Sequence, residues 1–177
     1  MRDVSDDFLL NMAEVSATLI GLFLVGVFFF VETGFRRMER GREIAQPYFR
    51  AGTRIVLILY AISLGLSLTL VALGPVWNRI VFALMSCILL AANLETLVRV
   101  RGLAGATGSR VMLVNEVLGT AAVVALVLTP WVLGGLHPTR EDLTWAILLA
   151  FGAGFVSVGS LVLSVFDSAV QEPGTDA

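Results

Sequence analysis

The sequence predicts an all-α fold: an integral membrane bundle of five transmembrane helices, built as one domain over residues 1–177. Three observations carry this expectation. The composition is apolar, five long apolar stretches alternate with helix breakers, and Arg and Trp residues sort to opposite ends of those stretches. Hydrophobic residues make up 57% of the chain and charged residues 15%, against about 25% charged in a soluble domain. A globule this small buries too little of its surface to hide that much apolar material from water. The soluble, disordered, fibrous and nucleic-acid-binding classes are therefore excluded, and the partner that the chain requires is a lipid bilayer.

A bilayer-spanning helix needs roughly 20 mostly apolar residues. The stretches that meet this length run over about 8–31, 54–73, 79–98, 110–133 and 142–166. The first is preceded by Asp3, Asp6 and Asp7, with Arg2 as its only basic side chain. A secretory signal wants a positive start and a shorter apolar run, so this stretch reads as a retained helix. Gly74-Pro75 separates the second stretch from the third, because Pro has no N–H to donate and Gly loosens the backbone. Gly102, Gly105 and Gly108 loosen the next link, and Ser109 suits the N-cap of the fourth helix. Gly134, Gly135 and Pro138 end that helix, and Pro130 is placed to kink its last turn. The Gly-rich link follows no strand and lacks the Lys of a phosphate-binding loop.

Orientation follows from the twelve basic residues, all of them Arg. Arg36, Arg37, Arg40, Arg42, Arg50 and Arg54 lie between the first two stretches, and Arg99, Arg101 and Arg110 between the third and fourth. The other side holds Arg2, Arg79 and Arg140. Short loops rich in Arg stay cytoplasmic, which puts the N-terminus outside and the acidic C-terminus inside. Trp77, Trp131 and Trp145 then all fall at outer helix ends, where indole rings favour the interface. The link from Glu32 to Arg54 mixes Arg with Phe35, Met38 and Ile44 over its first part. It reads as an Arg-rich anchor, with Arg36, Arg37, Arg40 and Arg42 set to meet lipid headgroups and an amphipathic helix over 35–44 as the form it would take.

Polar residues inside the spans are the candidate site. A charged side chain at the bilayer centre costs about 2.5–3.5 kcal/mol, so such groups rarely face lipid. Asn11, Glu14 and Thr18 are spaced i, i+3, i+7 and share one helical face, beside a small-residue stripe of Ala13, Ala17 and Gly21. That face is expected to turn toward protein, as a proton- or cation-binding carboxylate or as a hydrogen-bonding Glu that ties the bundle together. In the fourth span Glu116 stands beside Asn115 and one turn from Thr120. Glu95 precedes Arg99 by four residues, the favourable spacing for a helical ion pair, and it lies at a depth comparable to Glu116. Two carboxylates at one depth can share a proton, whereas a closed Glu–Arg network would be structural. Tyr60, Ser63 and Ser67 on the second span, and Ser157, Ser160, Ser164 and Asp167 on the fifth, read chiefly as glue between helices.

The runs Glu14-Val15-Ser16-Ala17-Thr18 and Glu116-Val117-Leu118-Gly119-Thr120 share a Glu-Val-x-small-Thr pattern. In the expected topology they run in opposite directions, as inverted repeats would. Ala13-Glu14-Val15-Ser16-Ala17-Thr18-Leu19-Ile20-Gly21-Leu22 resembles the first helix of uncharacterised bacterial multi-pass membrane proteins. The resemblance covers about ten residues; it implies a small protein of a bacterial inner membrane and no activity.

Enzyme signals are lacking. His137 belongs to an outer loop and Cys87 to the middle of the third span, too far apart for a nucleophile–base pair. Nothing in the sequence calls for a metal or a cofactor. The expected function is passage of a small ion, a proton above all, through a homo-oligomer. Glu14 and Glu116 would be the protonatable sites, with Asn11, Thr18, Asn115 and Thr120 beside them and Glu95–Arg99 as a cytoplasmic latch. The alternative is a non-catalytic membrane scaffold that recruits a protein partner through the Arg-rich link. A lipid-acting enzyme is third, for want of a catalytic set.

Overall fold

The computed structural model describes residues 4–37, 42–107 and 110–170, with side chains over 4–29, 32, 52–98, 117 and 119–162. Five helices fill the described residues: α1 (Asp6–Arg37), α2 (Arg42–Ala72), α3 (Pro75–Thr107), α4 (Arg110–Gly134) and α5 (Arg140–Val170). Ser5 caps α1, its hydroxyl accepting the Phe8 N–H at 3.2 Å. Asp6 and Asp7 follow in the first turn, where the helix dipole favours negative charge. Gly74 turns the chain between α2 and α3. Gly135 ends α4 with φ of +60°, a left-handed conformation that side chains with a Cβ rarely adopt. Thr139 and Asp142 start α5 as a reciprocal cap: the Thr139 N–H and hydroxyl both donate to Asp142 Oδ2 at 2.8 Å. This exchange satisfies groups that a helix start otherwise leaves open.

The helices run past the expected spans. α1 has 32 residues, or about 48 Å at 1.5 Å per residue, against a hydrocarbon core of about 30 Å. The link expected from Glu32 to Arg54 is mostly helix, since α1 continues to Arg37 and α2 begins at Arg42. Of the amphipathic helix expected over 35–44, residues 35–37 belong to the end of α1 and 42–44 to the start of α2, and its middle falls outside the described residues. Residues 38–41 lie outside the described part. α3 likewise continues through Gly102 and Gly105 to Thr107. Pro130 sits buried inside α4. Four stretches are long and apolar enough to cross a membrane: Asp6–Phe29, Gly52–Ala72, Pro75–Val98 and Arg140–Val162. The described apolar part of α4, Gly119–Gly134, is shorter.

α2 packs against α1, α3 and α5, while α4 joins α3 to α5. Helices α2 to α5 thus close a four-helix ring, and α1 lies outside it. The ring is filled by apolar side chains, among them Leu59, Leu66, Phe82, Leu89, Leu126 and Ile147. Between α2 and α5 the backbones come close, because α5 presents the small residues Ala146, Ala150 and Gly154 at spacings of four, all buried. Lipid tails are as apolar as Leu, so helices in a membrane associate through such close packing and through hydrogen bonds. Ser63 supplies one, donating to the Ile147 carbonyl at 3.2 Å. The Tyr60 ring lies over Gly154 and meets Phe151 and Phe155 edge-on, at centroid distances of 6.1 and 6.2 Å.

Two glycines in this ring respond differently to a methyl group. At Gly154 it would stand 2.7 Å from Tyr60 Cε1 and 3.0 Å from Cζ, against a rigid ring. At Gly65 it would meet the terminal methyl of Met85, the end of a flexible side chain. Gly154→Ala is expected to destabilise by about 1–3 kcal/mol, read as a lower thermal midpoint in detergent. Gly65→Ala is expected to cost clearly less. Equal midpoints for the two variants would contradict this account of α2–α5 packing.

Candidate functional site

Helix ends sort the polar residues into two levels. Asp6, Ala72, Pro75, Gly134 and Arg140 share one end of the bundle, and Trp77, Trp131 and Trp145 lie near it. Trp77 and Trp145 are more than half exposed, whereas Trp131 packs against Phe82 at a centroid distance of 6.3 Å. At this end Arg140 pairs with Asp6 and so ties the start of α1 to the start of α5. Arg79 Nη1 stands 3.3 Å from His137 Nδ1, joining α3 to the α4–α5 link. His137 is thus a loop residue in contact with Arg79, and Cys87 is exposed on the outer side of α3.

At the opposite, arginine end, Arg54 on α2 donates to Glu95 Oε2 on α3 at 2.6 Å and to the Ala92 carbonyl at 3.3 Å. The sequence offered Arg99, four residues on, as the partner of Glu95, and used Arg54 only for the topology count. The side chain of Arg99 lies outside the described residues. Arg54 was missed because its closeness to Glu95 arises from antiparallel packing of α2 on α3, which no spacing within one helix reveals. The Asp6–Arg140 pair was missed for the same reason. The Thr139-x-x-Asp142 cap was readable in the sequence as a capping-box pattern.

The face of Asn11, Glu14 and Thr18 differs from its expectation. Within the chain it turns away from the bundle, and all three side chains are exposed. The buried side of α1 is formed instead by Leu9, Ala13 and Ser16, with Ile20 and Phe23 partly covered. Of the expected small stripe, Ala13 is buried while Ala17 and Gly21 are exposed. The physical reason is that in a bilayer a polar stripe has no bulk water to turn toward, so the stripe on α1 does not by itself set its rotation. The fit of Leu9, Ile20 and Phe23 against α2 and α5 does. Only 11% of the membrane-length window of α1 is buried, against 44% for α2. Thr18 bonds back to the Glu14 carbonyl at 2.9 Å. Glu14 stands about 12 Å along the axis from Asp6, well inside a span-length apolar stretch.

Of the other expected site residues, Thr120 is partly buried on α4, its hydroxyl without a hydrogen-bond partner among the described residues. Asn115 and Glu116 belong to α4 by backbone, and their side chains lie outside the described residues. The same holds for Arg36, Arg37 and Arg42 at the ends of α1 and α2, and Arg40 lies outside altogether. The glue expected of the α2 serines is realised at Ser63.

Comparison with protein-family models, curated proteins and solved structures finds no match to this chain.

The Arg54–Glu95 pair makes a measurable link between α2 and α3. Both side chains are over two-fifths exposed, so the pair ranks with surface ion pairs. A double-mutant cycle on unfolding in detergent, using Arg54→Gln and Glu95→Gln, is expected to return a coupling of about 0.2–1 kcal/mol. Additive single effects would show that the two side chains do not act together.

Proposed function

We propose that this chain is a five-span protein of a bacterial inner membrane, N-terminus outside, that passes a small cation, a proton above all, in an assembly of several copies. The observation that carries the reading is Glu14. It is a carboxylate within a span, exposed on the outer side of its own bundle, beside the equally exposed Asn11. Neither side chain has a hydrogen-bond partner among the described residues. A carboxylate so placed is ready to take up and release a proton or to hold a cation, whereas Glu95 is engaged by Arg54. The filled interior of the four-helix ring moves the site of passage to the outside of the chain, between copies. Glu116, with Asn115 and Thr120, keeps its role as a second proton-binding group on α4.

The same filled interior favours a second reading. A ring filled with apolar side chains among the described residues, together with Arg36, Arg37, Arg40 and Arg42 close in sequence in the first link, suits a non-catalytic scaffold that recruits a partner at the headgroup level.

Purified protein in liposomes with a pH-sensitive dye inside separates the two. Under an imposed pH gradient and a potassium diffusion potential, the wild type is expected to accelerate proton entry. Glu14→Gln is expected to remove most of that acceleration, while Glu14→Asp retains part of it. A wild type no faster than empty liposomes overturns the transport reading in favour of the scaffold.

A further inference from the structure

The outward side of α1 is patterned as a seam. Asn11, Glu14, Thr18, Gly21, Val25 and Phe28 alternate at spacings of three and four residues, the 3.5-residue repeat of helices that wrap around one another. Every one of them is exposed, Val25 at 53% and Phe28 at 71%. The buried side of the same helix follows its own three-and-four spacing through Leu9, Ala13, Ser16, Ile20 and Phe23. At about 100° per residue the two stripes lie almost opposite one another on the helix. α1 therefore uses one stripe to attach to α2 and α5 and carries a second, equally regular stripe that no described residue of the chain covers.

The chemistry of this second stripe says what covers it. Lipid tails offer no hydrogen bond to Asn11 or Glu14, so a cover that supplies hydrogen bonds is favoured over lipid there. The stripe is complementary to itself: Asn11 brings amide donors and Glu14 brings acceptor oxygens, one helical layer apart. Two copies inserted the same way round meet in parallel across a two-fold axis along the membrane normal, where residue i of one faces residue j of the other and the reverse. That operation faces Asn11 with the partner's Asn11 and Glu14 with the partner's Glu14 in successive layers, and brings each Asn11 amide within diagonal reach of the partner's Glu14 carboxylate. Gly21, whose Cβ position has open space around it, lets the two backbones approach. Val25 and Phe28 close the seam below the polar layers.

We infer that this protein self-associates through α1, two copies packing in parallel along Asn11, Glu14, Thr18, Gly21, Val25 and Phe28, with a reciprocal Asn11–Glu14 hydrogen-bond layer within the membrane. The inference rests on the reading of Glu14 as a site shared between copies, and it names the surface that makes it shared. The 3.5-residue spacing makes the pair a left-handed one.

Cysteine cross-linking in native membranes tests it. In a Cys87→Ser background, single cysteines at Thr18, Gly21 and Val25 are expected to form disulfide-linked dimers under mild oxidation. Yields there should exceed those at the flanking positions Ala17 and Leu24 and the inward Ile20 several-fold. In nanodiscs, subunit counting by photobleaching is expected to show two copies for the wild type and chiefly one for Gly21→Ile and Asn11→Ala. These positions face away from the bundle, so the thermal midpoint of the monomer should be unchanged. Monomeric wild type, equal cross-linking at seam and flank, or cross-linking that peaks at the flank overturns the inference. Dimers without proton entry would sink the transport reading and leave this interface standing. Proton entry by a chain that stays monomeric would sink the interface alone.

Discussion

The close antiparallel approach of α2 and α5 is the constraint on which the rest of the bundle depends. It is made by absence of bulk. Ala146, Ala150 and Gly154 leave a shallow channel along α5, and α2 lies against it with Tyr60 over Gly154 and Ser63 bonded to the Ile147 carbonyl. In a bilayer no hydrophobic drive brings helices together, so contact must come from fit and from hydrogen bonds that lipid cannot offer. Once α2 and α5 are joined, the short turn at Gly74 brings α3 back beside α2. The link after Gly135 leads α4 into the capped start of α5. The ring then closes between α3 and α4 with little freedom left.

The same contact decides where α1 goes. Joined helices make a groove, and α1 fills it with Leu9, Ile20 and Phe23. Asp6 and Arg140 pin its first turn to that of α5. This fixes the rotation of α1 about its axis and so determines which residues it offers to the outside. Asn11 and Glu14 face outward because Leu9, Ala13 and Ser16 hold the opposite side of α1 against the bundle. A polar patch on the surface of a membrane protein is costly to leave against lipid, and that cost is a force toward assembly. This one rotation leaves Asn11, Glu14 and Thr18 exposed on the outer side of the bundle.

The two described intramembrane carboxylates illustrate two outcomes for a charge in an apolar span. Glu95, near the arginine end, is met by Arg54 from the next helix and serves to hold α2 to α3. Glu14, about two turns in from the other end, has no side-chain hydrogen-bond partner among the described residues. One is made structural by its neighbour. The other stays exposed on the outer side of its own bundle.

Composition and spacing alone determined a great deal. The apolar content suits a bilayer, and each of the five expected spans overlies one helix, although α1, α2 and α3 run well past them at the arginine end. Both follow from local chemistry, since backbone hydrogen bonds in lipid must close within each helix and breakers act on their own few residues. The list of polar residues worth attention was equally legible. Rotation and pairing were not. The sequence placed the Glu14 face toward its own bundle and gave Glu95 a partner on the same helix, and only the tertiary structure turned that face outward and brought Arg54 across from α2. The reason is physical. An apolar helix in an apolar solvent carries no amphipathic signal to orient it, so its facing is decided by the shape of the neighbours it meets. Those neighbours are distant in sequence and close only after folding.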